Sequence, residues 1–115
     1  MAAKYDIVMD QGATFSRAIT WQDSQAVPVN LTGYTARMQV RDEVDSASAA
    51  LSLTTENSRI SLGGTAGTIT LLVSAADTAA VAAGEYVYDL ELVSGSGTVT
   101  RLIQGCFTVD AEVTR

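Results

Sequence analysis

The stretch EYVYDLELV-SGSG-TVTRLIQGCFTV, residues 85–109, decides the fold. Apolar and polar side chains alternate through 85–93 and again through 98–109, with the two-residue period of a β-strand that has one buried face. The connection Ser94-Gly95-Ser96-Gly97 consists of small turn residues, which are typical of a β-hairpin. These features predict two long antiparallel strands.

The expected register of this hairpin places Val93 opposite Thr98. It gathers the apolar side chains on one face and turns Asp89 and Glu91 to the other, whereas a slip of one residue would turn the acids inward. One of the expected pairs sets a charged residue against a leucine. The pairs are Leu92–Val99, Leu90–Arg101, Tyr88–Ile103 and Tyr86–Gly105.

The same alternation recurs along the rest of the chain, with turn residues between the runs. In the second run Arg17 falls on the apolar face together with Phe15 and Ile19. Either a β-bulge intervenes there, or the charged end of Arg17 reaches the rim of the sheet. The predicted strands before the hairpin are Tyr5–Met9, Thr14–Gln22, Tyr34–Arg41, two short ones at Leu51–Leu53 and Ile60–Leu62, and Thr68–Val73.

One helix is expected among these strands. In Ser74-Ala75-Ala76-Asp77 the serine hydroxyl can cap the amide of Asp77, which predicts a short helix near residues 75–81. The elements together predict an all-β fold, a single immunoglobulin-like antiparallel β-sandwich domain over residues 1–115. A small β-barrel is the alternative architecture.

The composition favours one folded domain with an acidic surface. A chain of 115 residues with 47% hydrophobic content can fill one core and is too short for two ordinary domains. Its net charge is -6 and it has no run of Lys or Arg, so we expect no nucleic-acid partner. No stretch has the length of a membrane-spanning helix or the apolar core of a signal peptide, so we expect no membrane insertion.

The chain has no histidine and a single cysteine, Cys106. The lack of histidine removes the usual general base and any Ser–His or Cys–His nucleophilic pair. One cysteine forms neither a Cys/His zinc site nor an intramolecular disulfide. We therefore expect no enzyme, no catalytic, cofactor-binding or metal-ligating residues, and no cofactor. Cys106 is expected to be a small buried or half-buried residue of a strand.

Two loop motifs could suggest a ligand site, and both have a structural interpretation that we favour. The segment Gly63–Gly67 is glycine-rich but lacks the Lys-Ser/Thr ending of a phosphate-binding loop, so it is interpreted as a turn. Asp42, Glu43 and Asp45 do not have the spacing of a calcium-binding loop and are interpreted as part of a solvated loop.

Two side-chain pairs also need an interpretation. Asp89 and Glu91 could be a catalytic acid and base, but they lie two apart on a strand whose outer face is expected to be charged. Trp21 and Tyr34 could form a sugar-stacking platform, but the chain has few aromatic residues and needs them for its core. We favour a solvated face for the first pair and core-edge anchors for the second.

Two stretches, Gln11-Gly12-Ala13-Thr14-Phe15 and Asn30-Leu31-Thr32-Gly33-Tyr34-Thr35-Ala36-Arg37, resemble small virion proteins of tailed bacteriophages and their prophages. The nearest similarity is to the N-terminal domain of phage baseplate upper proteins, the adaptors that attach receptor-binding parts to the tail. In that pattern a strand ends in an Asp-containing turn, a Pro follows, and Asn-Leu-Thr-Gly-Tyr leads into a strand ending in Arg. Here those residues are Asp23, Pro28, Asn30–Tyr34 and Arg37.

The resemblance extends over nearly the full chain and implies an assembly module. The expected function is a structural component of the virion: a tail or baseplate adaptor, or a neck or capsid-surface decoration protein. Its expected partners are other phage structural proteins, in many symmetric copies, contacted through sheet faces, sheet edges and flexible termini at Lys4–Ile7 and Val113–Arg115. The expected location is the virion, assembled in the bacterial host cytoplasm. A module that binds a host-surface carbohydrate or protein is the alternative.

Overall fold

Two β-sheets packed face to face, with one short helix, make up the computed structural model, which describes residues 3–44, 46 and 48–113. The elements in chain order are β1 (Ala3–Lys4), β2 (Ile7–Asp10), β3 (Phe15–Thr20), β4 (Thr35–Arg41), β5 (Leu51–Thr54), β6 (Ile60–Leu62), a 3₁₀ turn (Gly64–Ala66), β7 (Thr68–Val73), α1 (Ala75–Ala79), β8 (Gly84–Val93) and β9 (Val99–Asp110).

The strand order is that of a two-sheet β-sandwich. One sheet has the order β1-β9-β8-β4-β5, with β2 also paired to β9, and the other has the order β3-β7-β6. The chain enters the smaller sheet twice, at β3 and at β6–β7, and returns to the larger sheet each time. The predicted fold class is confirmed, including the short helix within residues 75–81, and the two sheets are separate rather than closed into a barrel.

The N-terminal segment differs from the all-antiparallel expectation, because β1 and β2 both run parallel to β9. Between them, the Tyr5 N–H donates to the carbonyl of Gln104 (2.9 Å), and the Asp6 carboxylate accepts the N–H of Cys106 (3.0 Å). The expectation of a flexible terminus at Lys4–Ile7 is therefore wrong. Alternation identifies a strand but does not identify a partner about a hundred residues away.

The hairpin has the predicted faces in β8 and in β9 from Ile103 onward, but Val99 faces outward instead of inward and the register differs throughout. Near the turn Val93 pairs with Val99, and a shift between Leu90 and Glu91 then makes Leu102 an extra residue of β9. The shift at the turn already replaces the unfavourable pair of Leu90 with Arg101 by the ion-compatible pair Glu91–Arg101, and the β-bulge then returns Ile103, Gly105 and Phe107 to the inner face. The observed pairs include Leu92–Thr100, Glu91–Arg101, Leu90–Ile103, Tyr88–Gly105 and Tyr86–Phe107.

The core lies between the sheets and is mainly aliphatic, with Phe107 at its centre. The Phe107 ring has edge-to-face contacts with Phe15 (centroids 6.1 Å apart) and Tyr88 (6.0 Å). Arg17 shares the inner face of β3, and its Nη1 donates to the Tyr5 hydroxyl at 2.8 Å. The β3–β7 register has no interruption, so the rim alternative for Arg17 is confirmed and the bulge alternative is wrong.

Candidate contact surfaces

The outer surface of the larger sheet is a ladder of paired charges, here called the charged face: Arg37, Gln39, Asp89, Glu91 and Arg101. Arg37 Nε donates to Glu91 Oε1 at 2.7 Å, and Arg101 Nε lies 3.3 Å from Asp89 Oδ2. These residues line an open depression of about 570 Å³ on β4, β8 and β9. Opposite charges on neighbouring strands stabilise the sheet and leave a polar surface towards solvent.

The structure separates the two candidate carboxylates into two ion pairs. Glu91 bonds to Arg37, whereas Asp89 faces Arg101, and both side chains are partly exposed to solvent. A catalytic acid and base act on one substrate from a shared site, whereas each of these carboxylates is engaged with its own arginine. The arrangement is that of a solvated charged face, as the sequence indicated.

The acidic loop after β4 is organised around Ser46. The Ser46 hydroxyl accepts the N–H of Glu43 (3.0 Å), and its carbonyl accepts from Arg41 Nη1 (2.7 Å). Asp45 lies outside the described residues. Within the described ranges, no three Asp, Glu or Cys side chains come together in a way that could hold a metal ion.

Trp21 and Tyr34 lie together at the edge of the core. Their rings meet edge to face with centroids 6.1 Å apart, and both are partly buried against the core cluster. A sugar-stacking platform presents a ring face to solvent, whereas these two rings pack against each other and against the core. Next to Trp21 is an open groove of about 430 Å³, whose apolar wall includes Ile19 and Leu102.

The segment Gly63–Gly67 forms a turn that packs closely against the backbone of Trp21. Gly67 has φ +69° and lies so close to the strand opposite that a Cβ there would be 2.7 Å from the carbonyl oxygen of Trp21. Its own carbonyl accepts the N–H of Trp21 (2.8 Å). The glycines therefore serve close backbone packing.

Cys106 is exposed, which corrects the expectation of a buried or half-buried cysteine. It lies on β9 opposite Val87, between the inward-facing Gly105 and Phe107, so its side chain points out of the sheet. The placement in a strand was predicted correctly, and only the face was wrong.

The smaller sheet has a contrasting outer surface with small uncharged side chains, here called the uncharged face. Ser16, Ala18 and Thr20 of β3 lie beside Leu72, Thr70 and Thr68 of β7. Leu72 is 46% exposed, which is high for an apolar side chain in the middle of a sheet face. β3 is the outermost strand of this sheet, and its three outward-facing residues are all exposed.

A polar cluster at one end of the sandwich, centred on Thr78, was not found from the sequence. Thr78 is fully buried, and its hydroxyl accepts the N–H of Gly12 (3.0 Å) and donates to the carbonyl of Ala13 (2.9 Å). Gln11 Nε2 donates to the carbonyl of Val81 (2.8 Å). These bonds tie α1 to the β2–β3 turn, and the helix itself begins with the predicted cap, Ser74 Oγ accepting from the Asp77 N–H (3.2 Å).

A second buried polar contact holds the N-terminal segment. The Tyr88 hydroxyl donates to the carbonyl oxygen of Tyr5. Burial, followed by the nearby Tyr5 and Asp6, raises the pKa of Tyr88 well above its ordinary value of 10.0. The phenol therefore remains a donor at neutral pH, and this contact serves structure, since it bonds only to backbone.

No protein-family model matches the sequence, and no curated protein shows significant similarity to it. No helix in the described part of the chain is long and apolar enough to cross a bilayer.

Proposed function

We propose that this chain is a non-enzymatic structural component of a tailed-bacteriophage virion, an assembly module that packs against other virion proteins. The observation that carries the proposal is the contrast between its two broad sheet faces. One face consists of paired charges, and the other consists of small uncharged side chains beside an open strand edge. Such surfaces suit contact between proteins, since edge strands without protection pair with other chains.

The sequence resemblance supports the same proposal. The matching segments, residues 11–15 and 30–37, occupy the β2–β3 turn and the approach to β4. Leu31 in the second segment is buried, and Asn30 Oδ1 accepts the N–H of Thr32 at 3.0 Å, which orders the turn before the strand. Tail, baseplate, neck and capsid-surface positions all fit an adaptor or decoration role, with assembly in the host cytoplasm and final location in the virion.

The test is to look for the chain in purified particles. Virions are purified by density gradient from a producing culture, and the copy number of the chain is measured by quantitative mass spectrometry, with particles from a strain lacking the gene as the control. We expect a fixed copy number that is a multiple of three, five or six, as closed symmetry requires. Electron cryomicroscopy of the same particles then places the domain. Absence of the chain from infectious purified virions contradicts the proposal.

The alternative of a carbohydrate-binding module lacks a specific observation in its favour. Tyr5 is the one aromatic side chain of the described residues that counts as exposed, at 37%, and its hydroxyl is already bonded to Arg17. A glycan array with the isolated protein tests this alternative directly.

A further inference from the structure

The outer edge of β3 leaves a row of backbone groups without partners among the described residues. Trp21 and Gly67 bond across the end of the β3–β7 ladder, so the odd-numbered residues of β3 point their N–H and C=O groups towards β7. Those of Ser16, Ala18 and Thr20 therefore point away from the sheet, and all three residues are exposed.

The edge strand at one end of the larger sheet, the four-residue β5, is protected. In β5, the carbonyl of Ser52 accepts from Asn57 Nδ2 (3.1 Å) and Arg59 Nη1 (2.9 Å), and the N–H of Thr54 donates to Asn57 Oδ1 (3.0 Å). Side chains thus occupy the groups that another strand would use. The remaining edge strands are shorter than β3, with four residues in β2, three in β6 and two in β1.

Among the described residues, no side chain bonds to the outward backbone groups of β3 in the way that Asn57 and Arg59 bond to those of β5. β3 contains no proline and no lysine, its pairing with β7 has no bulge, and its one charged side chain, Arg17, points inward to Tyr5. An inward-pointing charge can protect an edge, but Arg17 is held at the rim by Tyr5, so the outward groups of this six-residue strand, whose outward side chains are uncharged, stay open to another strand.

We propose that a second copy of this chain occupies the edge, with the two β3 strands antiparallel about a two-fold axis at Ala18. In that register Ala18 faces Ala18 of the second copy, and Ser16 faces Thr20 of the second copy. Every outward N–H and C=O of these residues then finds a partner, and the Ser–Thr pairs bring two hydroxyls together. An interface of this type must be self-complementary, and β3 has a small residue at the axis with matched polar residues on both sides.

Charge and register select this arrangement among the symmetric ones. An axis at Arg17 would set two guanidinium groups opposite each other, which destabilises a strand pair. An axis at Ile19 would leave Ser16 without a partner. The contact also joins the two uncharged faces into one continuous sheet, while the charged faces of two molecules of net charge -6 stay apart.

The size of the contact predicts a weak dimer. β3 contributes six residues, whereas a stable specific interface uses roughly 20–30 residues a side. We therefore expect a dissociation constant between about 10 μM and about 1 mM, so that pairing is favoured where copies are held close together. The inference goes beyond the proposed function and does not depend on it.

The register is tested with single cysteines in the Cys106→Ser background. Ala18→Cys is expected to form a disulfide-linked dimer under mild oxidation, and a mixture of Ser16→Cys with Thr20→Cys is expected to form the mixed dimer. Leu72→Cys is the matched control, since it lies on the same exposed face one strand away from the edge. Cross-linking of Ala18→Cys no faster than that of Leu72→Cys overturns the proposed register.

The association itself is tested by analytical ultracentrifugation of the intact chain up to ~1 mM. Ala18→Lys sets like charges against each other at the axis, so we expect the association constant to fall at least tenfold with an unchanged circular dichroism spectrum. An equimolar mixture of Ala18→Lys and Ala18→Glu should restore the dimer. A chain that stays monomeric throughout, or a dimer that Ala18→Lys leaves intact, overturns the proposal. A dimer lost in Ala18→Lys and regained in the mixture supports it.

Discussion

Close packing of backbone against backbone at Gly105 explains how the N-terminal segment joins the larger sheet. A Cβ at this position would lie 2.7 Å from both the carbonyl oxygen of Tyr5 and Oδ1 of Asp6. The same two residues bond to Gln104 and Cys106 on either side. Glycine is thus required by the approach of a neighbouring chain segment, a requirement that the sequence pattern of a single strand does not reveal.

Gly105→Ala is expected to destabilise the protein by about 1–3 kcal/mol, because the new methyl group overlaps a backbone oxygen that can move only if the N-terminal pairing opens. Gly95→Ala is the matched control. A Cβ at Gly95 would be 3.5 Å from its nearest neighbour, an ordinary contact, and the loss should stay within about 0.5 kcal/mol. Urea unfolding of both variants measures the difference. Equal stabilities of the two variants would contradict the role of Gly105.

At the scale of elements, local pattern predicted which side chains are buried but not how the strands are paired. The alternation in 85–93 correctly placed Tyr86, Tyr88, Leu90 and Leu92 on the inner face, because the pleat fixes the side of each residue. The predicted register was one residue off from Val93 to Glu91 and two residues off from Leu90 onward, because the length of the turn and the bulge at Leu102 are set by contacts between the strands. The parallel pairing of β2 and the open edge of β3 depend on the whole topology, which local alternation does not encode.

The helix α1 shows the same division between local and distant information. Its start was predicted from Ser74 and Asp77, which act within one turn. The position of the helix against the β2–β3 turn was not predicted. It depends on bonds from the buried hydroxyl of Thr78 to the backbone of Gly12 and Ala13. A five-residue helix has too few internal bonds to be stable alone, so the docking contact holds it in place.

Thr78→Val, which keeps the side-chain shape but removes the hydroxyl, is expected to cost about 1–3 kcal/mol, because the partly buried N–H of Gly12 loses its acceptor. Thr78→Ser keeps the hydroxyl and loses only a buried methyl group, so we expect a smaller cost of about 1 kcal/mol. Denaturant unfolding compares the two variants with the parent protein. If Thr78→Val is no less stable than Thr78→Ser, the hydroxyl does not hold the helix.

At the scale of the whole molecule, the distribution of charge determines which partners can bind. Of the seven basic residues in the chain, Arg37, Arg59 and Arg101 lie within 4 Å of a carboxylate oxygen, the distance of an ion pair. Arg17 bonds to the Tyr5 hydroxyl, and Arg41 bonds to Ser46 and Gln39. These five arginines of the described chain therefore neutralise or anchor neighbours within the domain and do not form a positive patch on one face.

We accordingly expect the protein not to bind nucleic acid. Binding to DNA gains its affinity from cations that displace counterions from phosphates, whereas this chain has a net charge of -6 and its five described arginines already bond to neighbouring groups. Fluorescence anisotropy of a labelled duplex and a labelled single strand, at about 50 mM salt where such binding is strongest, should show no change up to ~100 μM protein. The double variant Asp89→Lys, Glu91→Lys frees Arg37 and Arg101 and places four positive charges on the charged face, so it should show weak binding that is lost as salt increases. Salt-dependent binding by the parent protein would mean that the surface charges are arranged for a nucleic-acid partner after all, and would favour a role at the DNA-containing part of a particle.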